Sequence, residues 1–134
     1  MHIHAYWLGA AGLIPFIALP VMMVLGAISA DTAVMGFAQY SAIILSFLGG
    51  IHWYQSVIAQ ARPWQTYLAM VPSILAWVTL VGLGPVSALP WLAVGYLLML
   101  VSDRWIEGKP QGYGGLRQGL TAVALIMHLA FWLA

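Results

Sequence analysis

Few side chains of this sequence could do chemistry, and four that could lie inside long apolar stretches: His52, Asp103, Arg117 and His128. A histidine gains or loses a proton near neutral pH, and a neighbouring carboxylate changes how readily it does so. A histidine, an aspartate and an arginine lying together could therefore accept a proton or bind an anion. The same groups could instead form a charge pair that fixes how helices pack.

Other kinds of chemistry have less support. The sequence has no cysteine, which excludes disulfides, thiolate metal sites and cysteine nucleophiles. It contains no G-x-S-x-G, H-E-x-x-H or phosphate-loop motif. His2 and His4 form an H-x-H pair, but two ligands do not make a zinc site. We predict neither a catalytic residue nor a bound cofactor.

The composition determines which elements must position these residues. The chain is 63% hydrophobic and 5% charged, whereas soluble domains carry roughly 25% charged residues. Helices and closed barrels are the structures that span a bilayer, and a barrel would alternate apolar and polar residues. Here the apolar runs are continuous, so we predict an all-α membrane protein. The net charge of +1 gives no reason to expect nucleic-acid binding.

Five stretches reach the length of about 20 apolar residues that a spanning helix needs. They run over roughly 5–28, 34–61, 64–83, 86–107 and 116–133, and together they predict a single bundle of about five transmembrane helices. The first stretch lacks a preceding basic segment and is longer than the core of a signal peptide, so we expect it to remain as a span.

Basic residues predict the orientation of this bundle. Arg62, Arg104, Lys109 and Arg117 all fall at span ends on one side of a five-span topology. Cytoplasmic loops are enriched in lysine and arginine. We therefore predict a cytoplasmic N-terminus and an outside C-terminus; in an organelle, the inside would be the matrix or stroma.

Depth in the bilayer brings three of the ionisable residues together. At about 1.5 Å per residue, His52, Asp103 and Arg117 lie about 7–12 Å to the cytoplasmic side of the middles of their spans. We predict that they touch, directly or through water. His128 lies about 11 Å from His52 in depth, which disfavours one haem between them, so we interpret it as a hydrogen-bonded packing residue.

Weaker polar and small residues accompany His52 along the second span. Gln55 and Ser46 are further candidates for the polar site. Ser46 and Gly50 are four residues apart, and with Gly49 they provide the small side chains that let helices approach closely in lipid. We interpret this spacing as packing within one bundle rather than as a dimer face.

Turn and breaker residues predict local features of the helices. Pro15 and Pro20 in the first span and Pro72 in the third each remove an intrahelical hydrogen bond, so we expect kinks there. Asp31 and Thr32 precede the second span and are predicted N-caps.

Three blocks of the sequence resemble a known family. They are LGAAGLIPF at 8–16, FAQYSAIILSFLGGIHW at 37–53, and Asp103 followed by PQGYGGLRQGLT at 110–121. Together they resemble the transmembrane protein 69-like family, a domain-of-unknown-function family of small, roughly five-span proteins in bacteria and mitochondria. The resemblance implies the fold and a multi-pass location in the bacterial inner membrane or, in a eukaryote, the mitochondrial inner membrane, but it implies no activity. Its motif positions here are Ser46, Gly49, Gly50, His52, Asp103 and Arg117.

Three functions agree with these observations. The first is a non-enzymatic accessory or assembly protein, which would contact the lipid bilayer and either larger membrane complexes or other copies of itself. The second is a small proton or solute transporter or channel that uses His52 and Asp103. The third is a quinone- or lipid-binding membrane protein. A polar cavity that reaches His52 would favour transport, and an apolar outer contact face would favour the accessory function.

Overall fold

The computed structural model describes residues 3–60, 62–105 and 112–133. This part of the chain is helical and contains no strand. Its helices are α1 (Ile3–Ala11), α2 (Ile14–Val24), α3 (Ala30–Ile58), α4 (Pro63–Leu83), α5 (Pro85–Ser102) and α6 (Tyr113–Leu133). Five stretches are long and apolar enough to cross a membrane, because α1 and α2 together form one of them. The predicted all-α class with about five spans is confirmed.

The first span is broken rather than merely kinked. The helix stops at Ala11 and resumes at Ile14, just before Pro15. A proline cannot donate a backbone hydrogen bond, and its ring clashes with the carbonyl four residues earlier. The Tyr40 hydroxyl of α3 donates to the carbonyl of Gly12 at 2.8 Å, which gives this acceptor a partner at the break. The break is therefore fixed against the neighbouring helix.

Helix α3 is the longest element and begins earlier than predicted. Its N-cap is Ser29, whose extended backbone lets the side chain accept a hydrogen bond from the Thr32 amide at 3.2 Å. The prediction that Asp31 or Thr32 caps this helix was wrong. Asp31 lies in the first turn, where its negative charge interacts favourably with the helix dipole.

The core forms where α3 packs against its neighbours. Helix α3 contacts α2, α4 and α5, and α5 also contacts α6. Fully buried side chains come from each of the helices α2 to α6. The largest apolar side chains among them are Phe16, Phe37, Leu45, Leu89, Leu92 and Met99. Many other large apolar side chains are exposed on the outer surface of the bundle, as expected of a surface that faces lipid.

Two adjacent glycines of α3 have different surroundings. A Cβ atom on Gly49 would lie 2.6 Å from the backbone carbonyl oxygen of Ala69 in α4. The two helices can pack this closely because glycine has no side chain at this position. A Cβ atom on Gly50 would meet nothing within 4 Å. The close helix approach that the small residues predict therefore occurs at Gly49, and Gly50 faces outward.

The three arginines of the described residues lie at one end of the bundle. Arg62 precedes α4, Arg104 follows α5, and Arg117 lies one turn into α6. These ends are adjacent, because the Gln65 amide donates to the carbonyl of Trp105 at 3.0 Å. We call this the arginine end. Some predicted positions lie outside the described residues: His2, Ala61, Lys109 and the last part of the fourth span as far as Glu107.

Candidate functional site

Three buried ionisable side chains meet at the arginine end, each from a different part of the bundle. His52 lies near the end of α3, Asp103 directly follows α5, and Arg117 is on α6. His52 Nε2 is 2.6 Å from Asp103 Oδ1, and Arg117 Nη2 is 3.3 Å from Asp103 Oδ2. Their exposed fractions are 1%, 7% and 5%. The prediction that these three residues touch is confirmed, and we call them the polar cluster.

The hydrogen bonding of the polar cluster assigns the tautomer of its histidine. An ionised carboxylate can only accept hydrogen bonds, so His52 Nε2 carries the proton that is donated to Asp103 Oδ1. Asp103 Oδ2 faces the guanidinium of Arg117. Each carboxylate oxygen therefore interacts with a different helix, and Asp103 joins α3 to α6.

Further polar atoms surround the cluster. Arg117 Nη1 donates to the Thr121 hydroxyl, one turn along α6, at 3.3 Å. His52 Nδ1, Gln55 Oε1, the Tyr113 hydroxyl and Arg117 Nε are buried and have no hydrogen-bond partner among the residues that the structure describes. Burying an unpaired polar group costs about 1–3 kcal/mol. Within the part of the chain that the structure describes, these four atoms are therefore available for further hydrogen bonds.

The other predicted site residues have different positions. Gln55 lies about one turn from His52, and its side-chain oxygen makes no hydrogen bond within the described residues. The Ser46 hydroxyl donates to the carbonyl of Ala42 in its own helix at 2.9 Å. Ser46 lines a surface groove between α3 and α4 together with Ser73. The structure therefore places Ser46 on a different face of α3 from His52.

A second buried polar group lies deeper in the bundle. His128 Nδ1 donates to the carbonyl of Ala124 at 2.7 Å, so its Nε2 accepts from the Ser41 hydroxyl at 2.5 Å. The Tyr96 hydroxyl donates to the carbonyl of Ser41 at 2.7 Å. The interpretation of His128 as a hydrogen-bonded packing residue is confirmed. Sequence reasoning missed Ser41 and Tyr96 as its neighbours, because depth alone does not show which helix faces meet.

The residue types that bind metal ions do not gather in one place within the described residues. No group of three or more histidine, aspartate or glutamate side chains there could hold a metal ion. His52 and His128 belong to separate hydrogen-bonded groups, with Asp103 and Ser41 as their respective partners. His2 of the predicted H-x-H pair lies outside the described residues.

Comparison with known proteins agrees with the predicted resemblance. The sequence model of a family described as "Protein of unknown function (DUF3429)" matches residues 1–133. The protein named "Transmembrane protein 69" from Xenopus tropicalis is 36% identical over 130 residues, which cover 90% of this chain and 50% of that protein. The chain thus spans about half the length of this curated relative. No solved structure matches the chain significantly.

Proposed function

The chain belongs to the DUF3429 family of transmembrane protein 69-like proteins, a family described as being of unknown function, and we propose that this member is a non-enzymatic accessory or assembly protein of the membrane. One observation carries the proposal. The ionisable groups of the polar cluster are bound to one another across three parts of the bundle, with Asp103 between His52 and Arg117.

The cluster suits a positioning role because of where it lies. A buried ion pair adds little net stability, since desolvation offsets the attraction between the charges, but it can specify how elements pack. Asp103 holds the end of α5 against α3 and α6 through two oxygens. The cluster thereby sets the relative positions of these helices and the shape of the outer surface that they form.

The outer surface provides the area for partners. Large apolar side chains are exposed on every span of the described bundle. Several of them are tryptophans in the longer helices: Trp53, Trp64, Trp77, Trp91 and Trp132. Lipid covers such a surface, and so can the helices of a larger membrane complex or another copy of this chain. Tryptophan is among the residues that most often dominate binding at protein interfaces.

The proposal includes a membrane and an orientation. The family resemblance supports the bacterial inner membrane, or the mitochondrial inner membrane in a eukaryote. Arg62, Arg104 and Arg117 share the arginine end, and Asp31 lies near the opposite end. By the positive-inside rule the arginine end faces the cytoplasm or the matrix.

Cysteine labelling tests this orientation cleanly, because the chain has no native cysteine. In intact bacterial spheroplasts, a membrane-impermeant maleimide is expected to label Ala27→Cys, at the end opposite the arginines. Gly115→Cys, at the start of α6, should be labelled only after the membrane is opened. Both positions are exposed, and a Cβ atom at Gly115 meets nothing within 4 Å. The reverse pattern would contradict the proposed orientation.

The accessory function predicts assembly without transport. After mild digitonin extraction, we expect the protein to migrate on a native gel with an assembly larger than one 14.5 kDa chain in detergent. Purified protein in liposomes with an imposed potassium potential and an internal pH dye should acidify the interior no faster than protein-free liposomes do.

The two buried histidines provide matched variants for the flux measurement. His52→Gln changes the polar cluster, and His128→Gln changes the separate group around Ser41. Under the accessory proposal neither variant alters the proton flux. A flux that the wild type and His128→Gln carry, and that His52→Gln lacks, would instead identify a proton transporter that uses the polar cluster.

A further inference from the structure

A side groove runs between the first span, α3 and α6. Its volume is about 180 Å³, and its walls are almost entirely apolar. Leu8 and Phe47 line it and are 73% and 64% exposed, so the groove opens sideways toward lipid rather than toward an aqueous end of the bundle. A molecule that enters from this side must itself be dissolved in the bilayer.

One charged side chain lines the groove. Arg117 is 5% exposed, and its Nε–H is buried without a hydrogen-bond partner among the described residues. Thr121 also lines the groove, and its hydroxyl hydrogen can donate while its oxygen accepts from Arg117. A guanidinium has no acceptor. The polar part of a bound molecule must therefore present an acceptor oxygen.

The charge of the polar cluster restricts that oxygen further. Asp103 Oδ2 lies 3.3 Å from Arg117 Nη2 and already balances its charge. An anionic head group, such as a fatty-acid carboxylate, would lie beside a second carboxylate in surroundings of low dielectric constant, where like charges repel strongly. An uncharged carbonyl oxygen accepts a hydrogen bond without this repulsion.

The walls indicate a flat head group. Phe16, Phe47 and Tyr96 line the groove, and the rings of Phe16 and Tyr96 meet edge to face with centroids 6.2 Å apart. Aromatic rings favour offset or edge-to-face contact with another ring. The groove is smaller than the roughly 300–1,000 Å³ of a drug-sized site, so it has room for one ring, and a longer tail would remain in lipid.

We propose that this groove binds a quinone-class molecule, an uncharged ring with carbonyl oxygens on an apolar tail, with the ring between the first span and α6 and one carbonyl oxygen directed to Arg117 and Thr121. The site is additional to the accessory function. Binding does not require that function, and the accessory protein does not require the ligand.

Photolabelling of the purified protein in lipid nanodiscs tests the site with an azido-quinone that carries a short alkyl tail. We expect saturable labelling of peptides from the first span and α6. Decylubiquinone should compete, whereas palmitate and monoolein, which supply an anionic and an uncharged acyl head, should not. Equal competition by palmitate or monoolein would reject a quinone site and indicate a general lipid groove.

Two leucines of α6 provide matched variants. Leu120 lines the groove and Leu129 is exposed on the outside. Leu120→Trp should fill the groove and lower labelling at least tenfold, and Leu129→Trp should leave it unchanged. Should Leu120→Trp unfold, Thr121→Val keeps the volume and removes the hydroxyl, with an expected loss of about fivefold for one hydrogen bond. Equal labelling in wild type and the groove variants, or no saturable labelling, would overturn the proposal.

Discussion

Asp103→Ala is expected to lower the free energy of unfolding by about 3–5 kcal/mol, the cost of breaking a buried ion pair by removing one partner. Asp103 is 7% exposed and lies between the Arg117 guanidinium and the His52 ring, so its loss leaves the guanidinium and the His52 Nε2–H donor buried without their carboxylate. The total stability of a typical domain is about 5–15 kcal/mol. Thermal unfolding in detergent, followed by tryptophan fluorescence, measures the change.

Two controls separate the ion pair from a general effect of losing an aspartate. Asp31→Ala removes the exposed carboxylate at the opposite end and should change stability by no more than about 0.5 kcal/mol. The triple variant His52→Leu, Asp103→Leu and Arg117→Met replaces the whole cluster with apolar groups and should recover most of the loss. A stability change below about 1 kcal/mol in Asp103→Ala would contradict a buried, coupled cluster.

The contact within the polar cluster could be predicted because a spanning helix converts residue number into depth. His52, Asp103 and Arg117 belong to the second, fourth and fifth spans, all near the same end of the bundle. Charges are costly in lipid, so ionisable residues at one depth are expected to pair with each other. The rotation of each helix could not be predicted with the same certainty. Ser46 was a candidate for the same site, but its side chain bonds to its own helix and borders α4.

Local backbone features were predicted less well, because they depend on contacts distant in sequence. Pro15 predicts a disturbance of the first span, but it does not predict that the Gly12 carbonyl at the break accepts a hydrogen bond from the Tyr40 hydroxyl of α3. Ser29, Asp31 and Thr32 are all good N-cap residue types, so composition alone could not choose between them. The extended backbone at Ser29 makes it the cap.

The adjacent glycines of α3 are expected to respond to the same substitution with opposite sign. Gly49→Ala places a Cβ atom 2.6 Å from the Ala69 carbonyl oxygen, which belongs to the α4 backbone and cannot rotate away. The helices must separate, at a cost of about 1–3 kcal/mol for overpacking. Gly50→Ala meets nothing within 4 Å and should gain up to about 1 kcal/mol, because alanine favours helix more than glycine does.

The pair also separates packing inside the bundle from packing outside it. Thermal unfolding of the purified variants should show a lower midpoint for Gly49→Ala and an equal or higher one for Gly50→Ala. Shifts of the same sign would contradict the assigned faces of α3. Because Gly50 faces outward, its substitution can weaken contact with a partner without weakening the monomer. A Gly50→Ala protein that is more stable in detergent yet loses its larger assembly in digitonin would place the partner on this face of α3.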